Sequence, residues 1–184
     1  MRIQRSISEF RSFQLIESLF TSKENFKPTD STIRMKKMLL AAAKGLCEAF
    51  AQGKPISELL GFFTEHEAIA IEHGHPSIAP WLGQEYIGHK EIGEYFQMIS
   101  DNLSFENMKF GEWFVDEDKF RVGVNGDARW TFKETGKSWD EKFTYVLDYA
   151  EGETEREPSV REVKLRKYAV WADSGAVSPT PTLQ

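Results

Sequence analysis

The first half of the chain carries apolar side chains mostly at helical spacing. Residues 33–52 predict an amphipathic helix preceded by the capping residues Asp30 to Thr32. "ISELLGFF", residues 56–63, predicts a short helix, and "HKEIGEYFQMISDNL", residues 89–103, predicts another. Residues 7–20 predict a further amphipathic helix at the amino terminus, on these apolar positions: Ile7, Phe10, Phe13, Ile16 and Phe20.

The spacing becomes alternating at residues 67–73 and again in the second half of the chain. The first of these strands places Ile69, Ile71 and His73 on one predicted face. The stretch 74–88 follows as a predicted loop, and Pro76 argues that His75 belongs to it. From Met108 onward, four consecutive strands are predicted. In the clearest one, residues 119–134, an apolar parity alternates with a polar one, which is typical of an antiparallel sheet with one buried face.

This order of elements predicts an α+β fold, with helices packed on one face of a strongly bent antiparallel sheet. The 184 residues suffice for one domain with a sizeable core. We expect a partly helical extension over residues 1–30, the α+β domain over 31–174 and a flexible tail rich in Ser, Pro and Thr over 175–184.

Charge and composition narrow the possible partners. The formal net charge of −6 argues against a nucleic-acid-binding surface, which needs clustered Lys and Arg. No apolar run approaches the length of a membrane helix and no signal peptide is recognised, so we expect a cytoplasmic protein without a membrane partner. The single cysteine, Cys47, falls on an apolar helix stripe and is predicted to be a core residue.

No cofactor or metal is expected from the motifs. "GKPISE" lacks the Gly-rich run of a phosphate loop, and "GVNGDAR" lies in a predicted strand rather than before a helix, as a dinucleotide fingerprint would. No G-x-S-x-G elbow is present. His73 and His75 form an H-x-H pair, but the next acid along the chain is Glu85, so the pair lacks the further ligands of a metal site.

Three stretches of the sequence are similar to the SnoaL-like polyketide cyclases of the nuclear-transport-factor-two-like superfamily. They are "WLGQEYIGHKEIGEYF", "FTYVLDYAEGE" and "VREVKLRKYAVWADS", and the resemblance covers roughly residues 35–174. It implies a cone-shaped α+β barrel around a mostly apolar pocket. It also implies a homodimer formed through the exposed sheet face, which would be partly polar because that face carries these charges: Arg121, Asp127, Arg129, Lys133 and Lys142.

The resemblance draws attention to His73. In isomerases of this superfamily an acidic base at the end of the first strand faces the pocket, and His73 occupies a similar place here. An imidazole that titrates near neutral pH can act as a general acid or base. The alternative is a histidine at a strand end that simply bonds to a backbone carbonyl.

Glu141 and several aromatic residues complete the candidate site. Glu141 falls on an apolar parity between Trp139 and Phe143, where desolvation would raise its pKa; alternatively it lies solvated at a rim. Tyr145, Tyr149 and Tyr168 could contact the ligand or stabilise an oxyanion, or could serve only as core. The remaining predicted wall residues are Ile71, Trp81, Tyr86, Trp113 and Trp130.

Together these residues suggest a pocket for a small hydrophobic, carbonyl-bearing molecule. If the protein is an enzyme, we expect a cofactor-free isomerase, lyase or cyclase in which His73, Glu141 and Tyr145 are the catalytic groups. The alternative is a non-catalytic module that binds a ligand or forms a homodimer.

Overall fold

The computed structural model describes residues 29–153 and 161–173. The predicted helix over 7–20 and the predicted tail over 175–184 lie outside these residues. The fold described below is that of the compact unit that begins at Arg34. Within the described residues, no helix is long and apolar enough to cross a membrane.

Within these residues, three helices and six strands follow one another in the order expected for an α+β fold, and the bounds are as follows. Helices α1 (Asp30–Ala51) and α2 (Ile56–Leu60) precede strands β1 (Ile69–His73) and β2 (Glu85–Ile87). Helix α3 (Gly88–Asn102) leads into β3 (Leu103–Asp116), β4 (Arg121–Phe132), β5 (Ser138–Glu153) and β6 (Arg161–Ala172).

The predicted helices over 33–52, 56–63 and 89–103 and the four consecutive carboxy-terminal strands are confirmed. Two details differ from the prediction. The first of the four strands begins at Leu103 rather than near Met108, and the predicted loop 74–88 contains the short strand β2. Three residues are too few to show a period of their own, and β2 owes its existence to its antiparallel pairing with β1.

The six strands form one curved, unclosed sheet in the order β2-β1-β6-β5-β4-β3. All neighbouring strands are antiparallel except β1 and β6, which are parallel. The sheet is therefore mixed rather than purely antiparallel, because the first strand joins beside the last one. This parallel pairing brings the carboxyl ends of β1 and β6 to the same side of the domain.

The core lies between the helices and the inner face of the sheet. Leu39 and Leu46 of α1 and Ile92 of α3 are fully buried there, as are Val122 and Val124 of β4. The alternation predicted for β4 is thus confirmed, since the residues of its other parity are exposed or half-buried. Cys47 is also buried as a free thiol, as predicted.

Gly126 allows an aromatic ring to lie directly on the sheet. It pairs with Phe143 of β5, and a Cβ built on Gly126 would lie 2.3 Å from Cε2 of that ring. No side chain fits without moving the ring or the strand. The neighbouring strand offers a contrast, because a Cβ on Gly111 would meet no heavy atom within 4 Å.

We therefore expect Gly126→Ala to lower the free energy of unfolding by about 1–3 kcal/mol, the usual cost of overpacking a core. Gly111→Ala is the matched control and should change it by less than about 0.5 kcal/mol, as exposed substitutions usually do. Urea denaturation of both variants measures the difference. Equal effects of the two substitutions would contradict the close packing of Phe143 on Gly126.

Candidate active site

A cavity of about 60 Å³ lies on the inner face of the sheet, at the carboxyl ends of β1 and β6. Two carboxyl groups, Glu72 and Glu141, are its only charged lining groups among the described residues. Aliphatic side chains complete the wall. The aromatic lining residues are Trp81, Tyr95, Trp130, Trp139, Phe143, Tyr145 and Tyr168.

Glu72 enters the cavity from β1. Ala70 and Glu72 share the inner parity of this strand, and Glu72 pairs with Val170 of β6. The hydroxyl of Tyr95 on α3 donates a hydrogen bond of 2.9 Å to Glu72 Oε2. Burial raises the pKa of Glu72 to about 7, although the hydrogen bond from Tyr95 opposes part of that rise. Glu72 is therefore able to exchange a proton near neutral pH.

The loop between β1 and β2 covers the cavity and is tied to the backbone of Glu72. The Gly83 N–H donates a hydrogen bond of 2.8 Å to the Glu72 carbonyl. Gly83 has φ +75°, and a Cβ there would lie 2.5 Å from the Gly74 carbonyl oxygen, so a side chain would break this closure. The loop supplies Trp81 and Leu82 to the cavity wall.

Glu141 enters the cavity from β5, where only 8% of it is exposed. Its carboxylate accepts a long hydrogen bond of 3.4 Å from the indole N–H of Trp139. Burial raises the pKa of Glu141 to about 7, the bond from Trp139 lowers it slightly, and the charges of Glu72 and Asp173 add to the rise. The cavity thus holds the half-buried carboxyl group of Glu72 and the buried one of Glu141, which titrate in the same range.

Tyr145 and Tyr168 place hydroxyl groups in the same cavity. Their rings pack edge to face with centroids 4.9 Å apart, and the two hydroxyls are hydrogen-bonded to each other. Burial raises the pKa of both phenols, so both remain protonated and can donate hydrogen bonds. Phe50 of α1 packs on both rings and fixes them from the helix side.

His73 lies on the opposite face of β1 from the cavity. Its ring stacks on Trp171 with centroids 4.2 Å apart, and Trp171 is 46% exposed on the outer face of the sheet. The expectation that His73 faces the pocket is thus corrected: the pocket-facing group at the end of β1 is Glu72. Both parities of this strand are apolar, since Ala68 and Ala70 alternate with isoleucines, so hydrophobicity alone left the inner face ambiguous.

His75 lies in the loop, as predicted, where its Nδ1 is 2.7 Å from the Ser77 hydroxyl. The two imidazoles therefore have separate partners, Trp171 and Ser77. Within residues 29–153 and 161–173, no group of three or more His, Cys, Asp or Glu side chains could hold a metal ion.

The other predicted wall residues divide between the cavity and elsewhere. Trp81, Trp130, Tyr145 and Tyr168 line it, as does Glu141. The others do not, and each has a different position. Ile71 lies on the outer parity beside His73, and Tyr86 packs behind Tyr95 with ring centroids 4.9 Å apart. Lys44 Nζ lies over the ring of Trp113, 5.8 Å from its centroid. Tyr149 lines a groove between α1 and β6.

Four lining residues of consequence were missed as site residues by sequence reasoning: Glu72, Tyr95, Trp139 and Phe143. Trp139 and Phe143 share the parity of Glu141 along β5, and this alternation already indicated that they face the same side as Glu141. Tyr95 showed only the helical spacing of the apolar residues in the predicted helix over 89–103. The signal for Glu72 was a single carboxyl on the Ala68 and Ala70 parity of an otherwise apolar strand.

Comparison with known proteins shows which fold this chain shares. No family model and no curated protein matches the sequence. Among solved structures, an NTF2-like protein of unknown function from Burkholderia pseudomallei K96243 superposes with a TM-score of 0.60 at 17% identity, over 74% of this chain and 92% of that one. The chain has the nuclear-transport-factor-two-like (NTF2-like) fold.

Two further NTF2-like neighbours have names that refer to activities. A ketosteroid isomerase-like protein from Erwinia carotovora atroseptica gives a TM-score of 0.51 at 14% identity, over 75% of this chain and 95% of that one. The BvnE pinacolase from Penicillium brevicompactum gives 0.56 at 14% identity, over 77% and 90%. The predicted cone-shaped α+β fold is confirmed, while the closer likeness to SnoaL-like cyclases stays a prediction.

The two raised carboxyl pKa values make stability depend on pH. Between about pH 4.3, the usual pKa of an unfolded glutamate, and pH 7, the folded protein binds more protons than the unfolded chain. Each buried glutamate therefore stabilises the fold below that window, and this stabilisation is lost as the pH rises through 7.

We expect Glu72→Gln and Glu141→Gln to match the wild type near pH 4.5 and to exceed it at pH 8 by on the order of 1–3 kcal/mol each. Urea unfolding at the two pH values measures this. Glu134→Gln, at an exposed turn position, is the control and should change nothing at either pH. Variants that are less stable than the wild type at pH 8 would contradict the burial of these carboxyls.

Proposed function

We propose that this cavity binds a small hydrophobic molecule with a carbonyl group and catalyses cofactor-free proton transfer, as in isomerisation, dehydration or cyclisation. The observation that carries the proposal is the pair of desolvated carboxyl groups, one half-buried and one buried, with pKa values of about 7 in an aromatic cavity. Groups that titrate near the working pH are the most effective general acids and bases.

Glu72 is the proposed general base in place of His73. The hydroxyl of Tyr95 donates to its carboxylate and so favours the ionised form, which can take a proton from the carbon next to a carbonyl. The negative charge then moves to the carbonyl oxygen. Tyr145 is the proposed donor to this oxygen, because its hydroxyl stays protonated and accepts the hydrogen bond that Tyr168 donates, which leaves its own O–H free.

Glu141 is the proposed general acid. Among the described residues, the hydrogen bond that its carboxylate accepts comes from Trp139, at a long 3.4 Å. Its protonated form is therefore disfavoured less than that of Glu72, whose ionised form accepts the shorter bond from Tyr95. In an isomerisation, Glu72 removes a proton from one carbon and Glu141 returns a proton to another. Exchange with solvent then restores both carboxyls, and no proton or electron is gained or lost overall.

The size of the cavity implies that its wall moves on binding. Its volume of about 60 Å³ is below the roughly 150 Å³ of an engineered cavity known to hold benzene. The β1–β2 loop that carries Trp81 and Leu82 is the part of the wall outside the helices and the long strands. We propose that this loop moves outward when a ligand enters.

The names of the isomerase-like and pinacolase neighbours support the reaction class through the fold alone.

The test is the conversion of 3-cyclohexen-1-one to 2-cyclohexen-1-one, followed by the absorbance of the conjugated product. This probe needs only one proton removed and one returned. Glu72→Gln should lower the rate by a factor of about 10²–10⁴, the usual contribution of a general base. His73→Ala is the matched control from the neighbouring position and should leave the rate unchanged. An equal loss of rate with His73→Ala and with Glu72→Gln would contradict the proposed roles.

The rate of the wild type should peak near pH 7, because the base must be ionised and the acid protonated.

A second candidate function is self-association through the outer face of the sheet. Five paired strands present one apolar row there, and Phe114 at its end is 63% exposed. The row consists of Ile71, Ala169, Val146, Gly123 and Phe114. Charged side chains such as Asp127 and Arg129 lie beside it, so the homodimer expected from the sequence would bury a partly polar surface.

We expect sedimentation equilibrium to give twice the chain mass of 21.2 kDa for the wild type. Phe114→Asp should shift the protein towards the monomer, because it places a charge in the apolar row that the partner would contact. Glu94→Ala, on the exposed side of α3, is the control and should not change the mass. A monomeric wild type at high concentration would refute self-association.

A further inference from the structure

The charge of the cavity wall restricts what can bind. The two glutamates are its charged lining groups, and no Lys, Arg or His lines it among the described residues. The basic residues nearest to Glu141 in the sheet, Arg129 and Lys142, belong to the outer parity. Arg129 is already paired there with Asp140 and Glu106. An anionic ligand in the cavity would therefore meet like charge and find no counterion.

One residue of the wall carries a buried hydrogen-bond donor without an acceptor. Trp130 and Trp139 are cross-strand partners, and both line the cavity. The Trp139 N–H donates to Glu141, whereas the Trp130 N–H is buried and has no partner. A buried donor that stays unpaired costs free energy, which an acceptor oxygen on a ligand would recover. The protonated form of Glu141 is a second donor on the same wall.

From these two features we infer that the cavity selects ligands with an uncharged acceptor oxygen, such as ketones, esters or ethers, over carboxylates. This inference rests on the proposed function, since it names the ligand class of the same site. An acid with the same carbon skeleton becomes a ligand only as its ester or amide. Trp130 is the donor to the ligand oxygen, and the two glutamates repel the anion.

The probes are acetophenone and benzoate, which have similar size and differ in charge, with benzylammonium as the cation. Ligand-observed NMR titration of the full chain measures binding of each at about pH 6.0 and pH 8.5. We expect acetophenone to bind at least about tenfold more tightly than benzoate at pH 8.5, where both glutamates are ionised. The ratio should be smaller at pH 6.0, where they are mostly protonated.

Variants test whether the two glutamates cause the preference for acetophenone over benzoate, as distinct from a general loss of binding. Glu72→Gln and Glu141→Gln should each reduce the preference for acetophenone over benzoate at pH 8.5, and the double variant should bring the two within about threefold. Asp140→Asn removes a carboxylate from the outer face of β5 and should leave the preference unchanged. Trp130→Phe should weaken acetophenone more than benzylammonium, because only the ketone accepts the indole hydrogen bond.

Equal binding of acetophenone and benzoate would overturn the inference and leave the proposed proton transfer standing. Tighter binding of benzylammonium than of acetophenone at pH 6.0 would also overturn it. If none of the three probes bound at millimolar concentrations, the proposed ligand-binding function would fail, and the inference with it.

Discussion

The desolvation of two carboxyl groups that have no basic partner among the described residues is the constraint on which the rest of this site depends. A buried carboxylate is costly unless it is hydrogen-bonded or protonated. Glu72 has one strong donor, Tyr95, and Glu141 has one weak donor, Trp139. The remaining cost appears as raised pKa values near neutrality. The two carboxyl groups therefore lower the stability of the fold at neutral pH, and the same raised pKa values allow them to exchange protons there.

The parallel pairing of β1 with β6 makes this arrangement possible. It aligns Glu72, Val170, Tyr145 and Val124 in one row across four strands. Glu141 follows along β5, two inward-facing positions from Tyr145, and Tyr95 comes from the helix above. Residues far apart in sequence thus meet at the carboxyl end of β1. The Gly83 hydrogen bond to the same residue's backbone closes the loop over them.

Successive side chains of each strand point to opposite faces of the sheet, so the two faces carry different residues. Its inner face holds the acidic, aromatic cavity, and its outer face holds an apolar row together with the stacked pair His73 and Trp171. Neighbouring residues of one strand, Glu72 and His73, therefore belong to different surfaces. Substitutions at these two positions report on different properties of the protein, although they are adjacent in sequence.

Local periodicity in the sequence determined the helices from residue 33 onward, the four long strands and the buried parity of β4 and β5. Glu141, Tyr145, Tyr168 and Trp130 were predicted for the cavity because each lies on a clearly apolar parity or in an aromatic-rich strand. Only the tertiary structure decided the face of β1 that points inward. Both parities of that strand are apolar, and packing in the core buries Ala68 and Ala70 completely. The role of Glu72, the parallel partner of β1 and the strand β2 all depend on contacts between distant residues, which no local pattern encodes.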